Sequence, residues 1–457
     1  MDFVFPTFLF LFLPIFTLVY SLSGSRFKLF VGVSGSLIFY SWGNSQYVSL
    51  IVCLVLITYG LALLLERWRG GKASFYLLWG GIVSTVSLPV WFKLHADMPY
   101  PLGLSYIAFQ VISYLVDVHK NPENLEKDIL RFSFYLLMFP KIPVGPIVPY
   151  RQVRTQIADI KPTPQDMAVG LRRFLWGFAK KVLIADTLAT VVTPVFNLQS
   201  PVITPGFAWL VIISYALQLY YDFSGYTDMA IGLGQMMGVR FMENFNLPYL
   251  SKSISEFWRR WHISLSAWFR ELVFYPLERH RFKWLGQQIN VLIVFTLTGL
   301  WHGLSMNFVL WGVLHGLALV FESSVFGRML RNLWRPFQHI YALMVIIVGW
   351  VIFRSPSPDF ALDYLRRLTG DINGIQVLPF ELTNPLPFIE PTFLIALVLG
   401  VLLCFPWGDW FFRLSEKSGS VRFAMRAIID VGSIIIFIAA LASAASATYL
   451  PGIYGGF

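Results

Sequence analysis

The chain has 457 residues, of which 56% are apolar and only 13% charged. A soluble domain carries about 25% charged residues, so lipid must be the solvent for much of this chain. The same figures exclude a disordered chain, a collagen and a coiled coil, and the excess of 35 Lys and Arg over 25 Asp and Glu fits basic cytoplasmic loops without invoking nucleic acid.

A span of the hydrocarbon core needs about 20 predominantly apolar residues. Residues 3–25 form the first such run; with no basic segment before it and no small-residue cleavage site, it reads as a retained span and not a signal peptide. Residues 29–65 are long enough for two spans, turning at Ser41-Trp42-Gly43-Asn44-Ser45. Residues 73–92 and 98–116 are two more. Arg26 and Lys28 form one basic loop and Arg67, Arg69 and Lys72 the next, which places both loops in the cytoplasm and the N-terminus outside.

Further on the pattern loosens. Residues 139–150 read FPKIPVGPIVPY, which cannot be a simple helix. Irregular backbone at membrane depth needs protein or a water-filled cavity around it, so the segment is either re-entrant or an interfacial loop. Residues 187–221 are apolar but broken by Pro194, Pro201 and Pro205, and residues 284–321 are apolar yet hold two histidines. Residues 336–353, 391–408 and the stretch from Val431 complete an all-α polytopic membrane protein with about ten to thirteen transmembrane or re-entrant helices. We divide this single domain, 1–457, into N-terminal spans (1–131), a catalytic core with the re-entrant segment and an amphipathic helix (132–322), and C-terminal spans (323–457). Cys53 and Cys404 lie in apolar runs and read as packing residues.

The segment 253–276 is the most informative. Ser253 and Glu256 fit a capping box that starts a helix. Trp258, Trp261, His262, Leu265, Trp268, Phe269 and Leu272 then recur at three- and four-residue steps, the signature of one helix face. Arg259, Arg260, Ser264, Ser266 and Arg270 fall largely off that face, as in a helix lying at the membrane interface or packing peripherally. His302 and His315 are embedded in apolar sequence, and an ionisable residue costly to keep in a membrane is a functional candidate. An imidazole withdrawn from water favours its neutral form, which can accept a proton as a general base must. The two point about 220° apart on a straight helix unless residues 303–307 break it, so His315 reads rather as a structural residue bonded to a neighbouring helix. Asp222 and Asp228 also interrupt apolar sequence; Arg240, Arg259 and Arg260 are the candidate partners, and the carboxylates serve either as a packing ion pair or as a proton relay. Among the histidines no pair stands at i, i+4, and no cysteine or carboxylate lies close, so neither a metal nor a bound cofactor is expected. There is no phosphate-binding Gly-rich loop and no nucleophile elbow.

Together the stretches LGLSYIAFQVISYLVDV (102–118), FPKIPVGPIVPY (139–150), YDFSGYTDMAIGLG (221–234), ENFNLPYLSKSISEFWRRWHISLSAWFRELVFYPL (243–277), GLWHGLSMNFVLWGVLHG (299–316) and GWVIFRSPS (349–357) resemble the membrane-bound O-acyltransferase family. The resemblance is greatest to its bacterial alginate O-acetylation branch and more distant to its teichoic-acid D-alanyl transfer branch. It implies a ring of helices around a thin centre with funnels on both faces, in a bacterial inner membrane. It implies His302 as the principal catalytic residue and His262 beside it. His315, Asp222, Asp228, Trp301 and Asn307 are the candidate supporting residues, and Arg259, Arg260 and Arg270 the candidate docking groups for donor or partner. The donor implied is a cytoplasmic thioester, acetyl-CoA or an acyl carrier protein. The acceptor implied is a hydroxyl on an extracellular polysaccharide or relay protein. The chain departs from the alginate branch at Arg270-Glu271 and at Tyr275-Pro276-Leu277-Glu278-Arg279-His280, which leaves partner and acceptor open. A transporter shares the many spans but often has an internal repeat, and none is seen here; a scaffold subunit for an extracellular transferase is the other competitor.

Overall fold

The computed structural model describes residues 1–95, 97–198, 203–279, 286–372, 389–407 and 419–446. Pro201, His280, Trp284, Gly408 and the sequence after Ser446, which entered the expectations above, lie outside the described residues. No β-strand occurs among the described residues. Helices satisfy their own backbone hydrogen bonds, as a chain crossing lipid must. Among the described residues, five helical stretches are long and apolar enough to cross a membrane: Phe27–Arg67, Lys72–Leu94, Met306–Ser323, Arg335–Arg354 and Ala427–Ala445.

The chain packs as two compact units. The first comprises Met1–Phe178 and Tyr226–Glu243, the second Ala179–Gly225 and Asn244–Leu450. In the first, α1 (Leu13–Leu22) is followed by α2 (Ser25–Asn44), α3 (Val48–Arg67), α4 (Lys72–Leu94) and α5 (Leu104–Lys120). The turn expected in residues 41–45 is present: Trp42 and Gly43 leave helical angles and a 3₁₀ turn covers Ser45–Tyr47. The span expected from residue 98 starts only at Leu104. Pro99 and Pro101 delay it, and Gly103, at φ 67°, lies so close to Ile142 that a Cβ would stand 2.1 Å from its carbonyl oxygen.

After α6 (Ile129–Leu137), the proline-rich segment makes one 3₁₀ turn, Phe139–Lys141, and is then irregular up to α7 (Tyr150–Ala158). Protein encloses it. Phe139 N–H donates to Ser36 Oγ (3.0 Å), Tyr135 O–H donates to the Val148 carbonyl (3.0 Å), and Lys141 Nζ donates to Gln110 Oε1 (2.6 Å) while lying 4.2 Å from the Tyr135 ring centre. Ser36 and Tyr135 thus satisfy backbone groups of the segment that a helix would otherwise pair.

The acidic residues find other partners than those expected. α8 (Pro164–Ala179) carries Arg173, which pairs with Asp228 (2.8 Å) and Glu243 (2.5 Å). Arg240 pairs with Asp166 (2.9 Å). Hydrogen bonds from Thr163 and from the Arg240 guanidinium hold the Asp166 carboxyl well below the usual carboxylate range.

In the second unit, α9 (Thr187–Phe196) precedes α10 (Pro205–Met236), whose later turns belong to the first unit. The amphipathic segment is not one helix. It divides into α11 (Ile254–Arg260), α12 (Ile263–Phe269) and, after a π-turn, α13 (Tyr275–Arg279). The capping box holds, with Ser253 Oγ accepting from Glu256 N–H (3.0 Å) and Glu256 Oε2 accepting from Lys252 N–H (3.0 Å). Next come α14 (Gly286–His302) and α15 (Met306–Ser323), broken from each other at residues 303–305. They form a hairpin whose backbones nearly touch. A Cβ on Gly299 would stand 2.1 Å from the Phe308 carbonyl oxygen, and one on Gly312 would stand 2.3 Å from that of Phe295. Small residues permit such approach between membrane helices. Gly299→Val should therefore force the hairpin apart and cost about 3 kcal/mol, the upper range for overpacking. A clear fall in thermal midpoint of the detergent-solubilised protein is the expected reading; an unchanged midpoint would refute the tight crossing.

The remaining helices among the described residues are α16 (Val325–Asn332), α17 (Arg335–Arg354), α18 (Pro358–Leu368), α19 (Pro391–Leu402) and α20 (Gly419–Ser446). Glu322, at the end of α15, accepts from the backbone N–H of Ser255 (2.9 Å) and from Ser255 Oγ (2.6 Å). It thus docks the start of α11 on the hairpin, a carboxylate at a helix N-terminus.

Candidate active site

His302 ends α14 and is buried, while Leu304, Ser305 and Met306 just beyond it are exposed. Four aromatic rings box its imidazole: Trp301 at 4.6 Å between centroids, Phe353 at 5.0 Å, Trp311 at 5.2 Å and Phe308 at 6.1 Å. Such walls exclude water and hold the ring plane. Trp301 also stands 6.2 Å from His262. Two histidines forty residues apart in sequence thus flank one indole.

His262 is not on a continuous helical stripe. Trp261 is extended, and His262 takes left-handed angles (φ 44°, ψ 54°) at the N-cap of α12. A non-glycine residue disfavours that conformation by about 1–2 kcal/mol. The surrounding bonds hold it: Ile263 N–H donates to the Asn244 carbonyl (3.0 Å), and Asn244 Oδ1 accepts from Ser264 N–H (3.1 Å) and Ser264 Oγ (2.9 Å). Ser264, placed off the apolar face by its spacing, is for that reason buried.

His315 lies away from this pair. Trp258 Nε1–H, on α11, donates to its Nδ1 (3.4 Å), the expected bond to a neighbouring helix. Trp311 separates the two histidines of the hairpin, 5.2 Å from His302 and 5.1 Å from His315. Asn307 Nδ2 donates to the Ser355 carbonyl (2.5 Å), tying α15 to the end of α17. Asp222 pairs with Lys181 (3.0 Å), which also binds Asp186; none of the three expected arginines reaches it. Neither Lys181 nor Asn244 was a candidate from the sequence. The dipeptide Lys180-Lys181 within an apolar stretch was the available signal for the first; Asn244 carried none, because only the fold brings it to His262.

A cavity of about 450 Å³ opens between α11, α12 and the hairpin. Its wall on α14 is the stripe Gln287, Val291, Val294 and Thr298. The spacing places His302 one turn beyond Thr298 on the same face. From Gln287 to Thr298 the stripe runs about 16 Å. Arg259 and Arg270 line the cavity and are exposed. Arg260, also a docking candidate, instead pairs with Glu256 (2.8 Å).

Compared with known families, residues 37–357 match the membrane-bound O-acyltransferase family, a span that contains both histidines, the cavity and the aromatic box. The chain belongs to that family. It is accordingly an acyltransferase and a multi-pass membrane protein. It is 33% identical to a probable alginate O-acetylase of Pseudomonas fluorescens, across 98% of this chain and 99% of that protein. It is 28% identical to the peptidoglycan O-acetyltransferase of Helicobacter pylori, across 94% of each. It is also 28% identical to the teichoic acid D-alanyltransferase of Bacillus subtilis, across 73% of this chain and 90% of that one. For this family member, the resemblance drawn from the six motifs holds over nearly the whole chain.

Proposed function

We propose that this O-acyltransferase takes an acetyl group from a cytoplasmic thioester and delivers it, at His302, to a hydroxyl of an extracellular polysaccharide or relay protein. The observation that carries the proposal is the position of His302 between two approaches. On one side the cavity is lined by the α14 stripe up to Thr298, one helical turn before His302. On the other, one residue past Gly303, the hairpin tip is exposed. A donor can reach the imidazole along the cavity and an acceptor can reach it from the tip. α14 itself, at 17 residues, is about 25 Å long, close to the thickness a transfer across lipid must bridge.

In this scheme neutral His302 takes the proton of the attacking hydroxyl as its oxygen bonds to the thioester carbonyl carbon. Collapse breaks the C–S bond, and the proton passes from the imidazole to the departing thiolate. The aromatic box limits competing hydrolysis by keeping water away. His262 flanks the same site across Trp301. The donor is held by its phosphopantetheine arm, which acetyl-CoA and an acyl carrier protein share. Arg259 and Arg270 receive its phosphate at the cavity wall. A guanidinium matches phosphate geometry with paired N–H donors.

Purified protein in lipid vesicles should transfer label from [14C]acetyl-CoA to an envelope acceptor fraction. The Arg259→Ala, Arg270→Ala double variant should raise the apparent KM for acetyl-CoA by about tenfold, the loss of roughly 1.4 kcal/mol of charged hydrogen bonding, and leave the saturated rate unchanged. An unchanged KM removes the cavity from the donor path. Transfer from a charged acyl carrier protein with none from acetyl-CoA would assign the donor to the carrier, as the similarity to a D-alanyltransferase allows.

A further inference from the structure

We propose that Asn244 is a positioning residue that holds His262 in a single tautomer, with Nε2 kept as the lone-pair nitrogen available to the reaction at His302. The proposal rests on the placement of His262 in the active site given above.

The tautomer follows from what can donate. Asn244 Oδ1 lies 3.1 Å from Ser264 N, 2.9 Å from Ser264 Oγ and 3.2 Å from His262 Nδ1. A backbone N–H can only donate, so the Asn244 atom facing Ser264 N is its carbonyl oxygen and not its amide nitrogen. A carbonyl oxygen can only accept, so His262 Nδ1 carries a hydrogen. A neutral imidazole has one N–H, and Nε2 is therefore the lone-pair nitrogen. Nε2 is buried and has no hydrogen-bond partner among the described residues.

Asn244 is itself fully buried, and its Nδ2 has no partner either. A side chain present only to fill space would be better apolar, since an unsatisfied buried amide is costly. Its oxygen, by contrast, serves three donors. The same residue's backbone carbonyl grips Ile263 N–H, so Asn244 fixes both the left-handed turn and the ring that the turn presents. Backbone strain of this kind concentrates at functional sites, where the surroundings over-determine it. Phe223, with its centroid 4.7 Å from that of His262 and its plane at 85°, and Trp301 fix the ring from its other sides. Both are uncharged, which leaves the choice of tautomer to Asn244.

The test uses inverted membrane vesicles of a strain making the full chain, with [14C]acetyl-CoA as donor and the vesicles' own envelope polymer as acceptor. Asn244→Ala should lower the saturated rate by about 100-fold, the lower end of what a positioned side chain contributes to proton transfer, with the apparent KM for acetyl-CoA within about twofold. Nδ-methylhistidine placed at position 262 carries its methyl on Nδ1 and keeps Nε2 as the acceptor whatever residue 244 is. In the Asn244→Ala background it should recover at least about tenfold of that rate. A purely structural Asn244 would give no such rescue. An Asn244→Ala protein with the wild-type rate overturns the proposal, as does failure of the methylated residue to rescue an inserted protein. Should Asn244→Ala not insert, Asn244→Asp, which keeps an oxygen acceptor in place, must retain transfer where it inserts, and loss there overturns the proposal equally. His262→Ala separates the two levels: if it is inactive while Asn244→Ala is active, only the positioning role falls; if it is fully active, the placement of His262 in the site falls with it.

Discussion

His302→Ala is expected to abolish acetyl transfer, with a loss of at least about 100-fold, while the protein stays inserted and folded. The imidazole is boxed by Trp301, Phe308, Trp311 and Phe353, so its removal opens a small void in an aromatic cluster and not a break in a helix. His302 is the last residue of α14, where backbone propensity matters least. Stability should therefore fall modestly and the rate steeply, and the two measurements distinguish the chemistry from the fold. His302→Gln is the sharper variant. It keeps polarity and most of the volume but loses the basic nitrogen, and it should be as inactive as Ala at a thermal midpoint near wild type. Transfer by either variant at the wild-type rate would remove His302 from the mechanism.

What could be read before the fold was seen follows a physical division. The spans at 29–65 and 73–92 match α2 with α3, and α4, within a few residues, because long apolar runs with charged borders are a local property of composition. His302 stood out for the same reason: an ionisable group in apolar sequence is conspicuous wherever the chain later goes. The late start of α5 was not legible, since the contact of Gly103 with Ile142 is tertiary. Nor was the break at His262, whose apolar spacing is perfectly helical; Asn244, 18 residues earlier, overrides it with its side chain and its carbonyl. The acidic residues make the same point. Composition announces that Asp222 and Asp228 need partners, but only packing selects Lys181 and Arg173 over nearby arginines.

Lys181 is where that selection has its largest consequence. Its ammonium and the Asp222 carboxylate are both almost wholly buried, 3.0 Å apart, and it also binds Asp186, which retains partial exposure. Lys181→Met keeps the side chain's length and removes its charge, taking the shared ammonium away from the Asp222 and Asp186 carboxylates. Breaking a buried pair by removing one partner costs about 3–5 kcal/mol, because the remaining charge stays desolvated. The variant should therefore be poorly inserted or unfold at a much lower temperature. Adding Asp222→Asn should restore most of the loss: it discharges the deeper carboxylate, and Asp186 can turn toward solvent. Both singles and the double, compared by thermal or denaturant unfolding, give a coupling energy that independent sites would not show. The same set decides the role of Asp222. If it only fixes packing, Asp222→Asn alone leaves Lys181 paired with Asp186 and transfers acetyl at near the wild-type rate. If Asp222→Asn is inactive at an unchanged unfolding midpoint, its carboxylate carries a proton in the reaction, and the ion pair is part of the chemistry and not only of the fold.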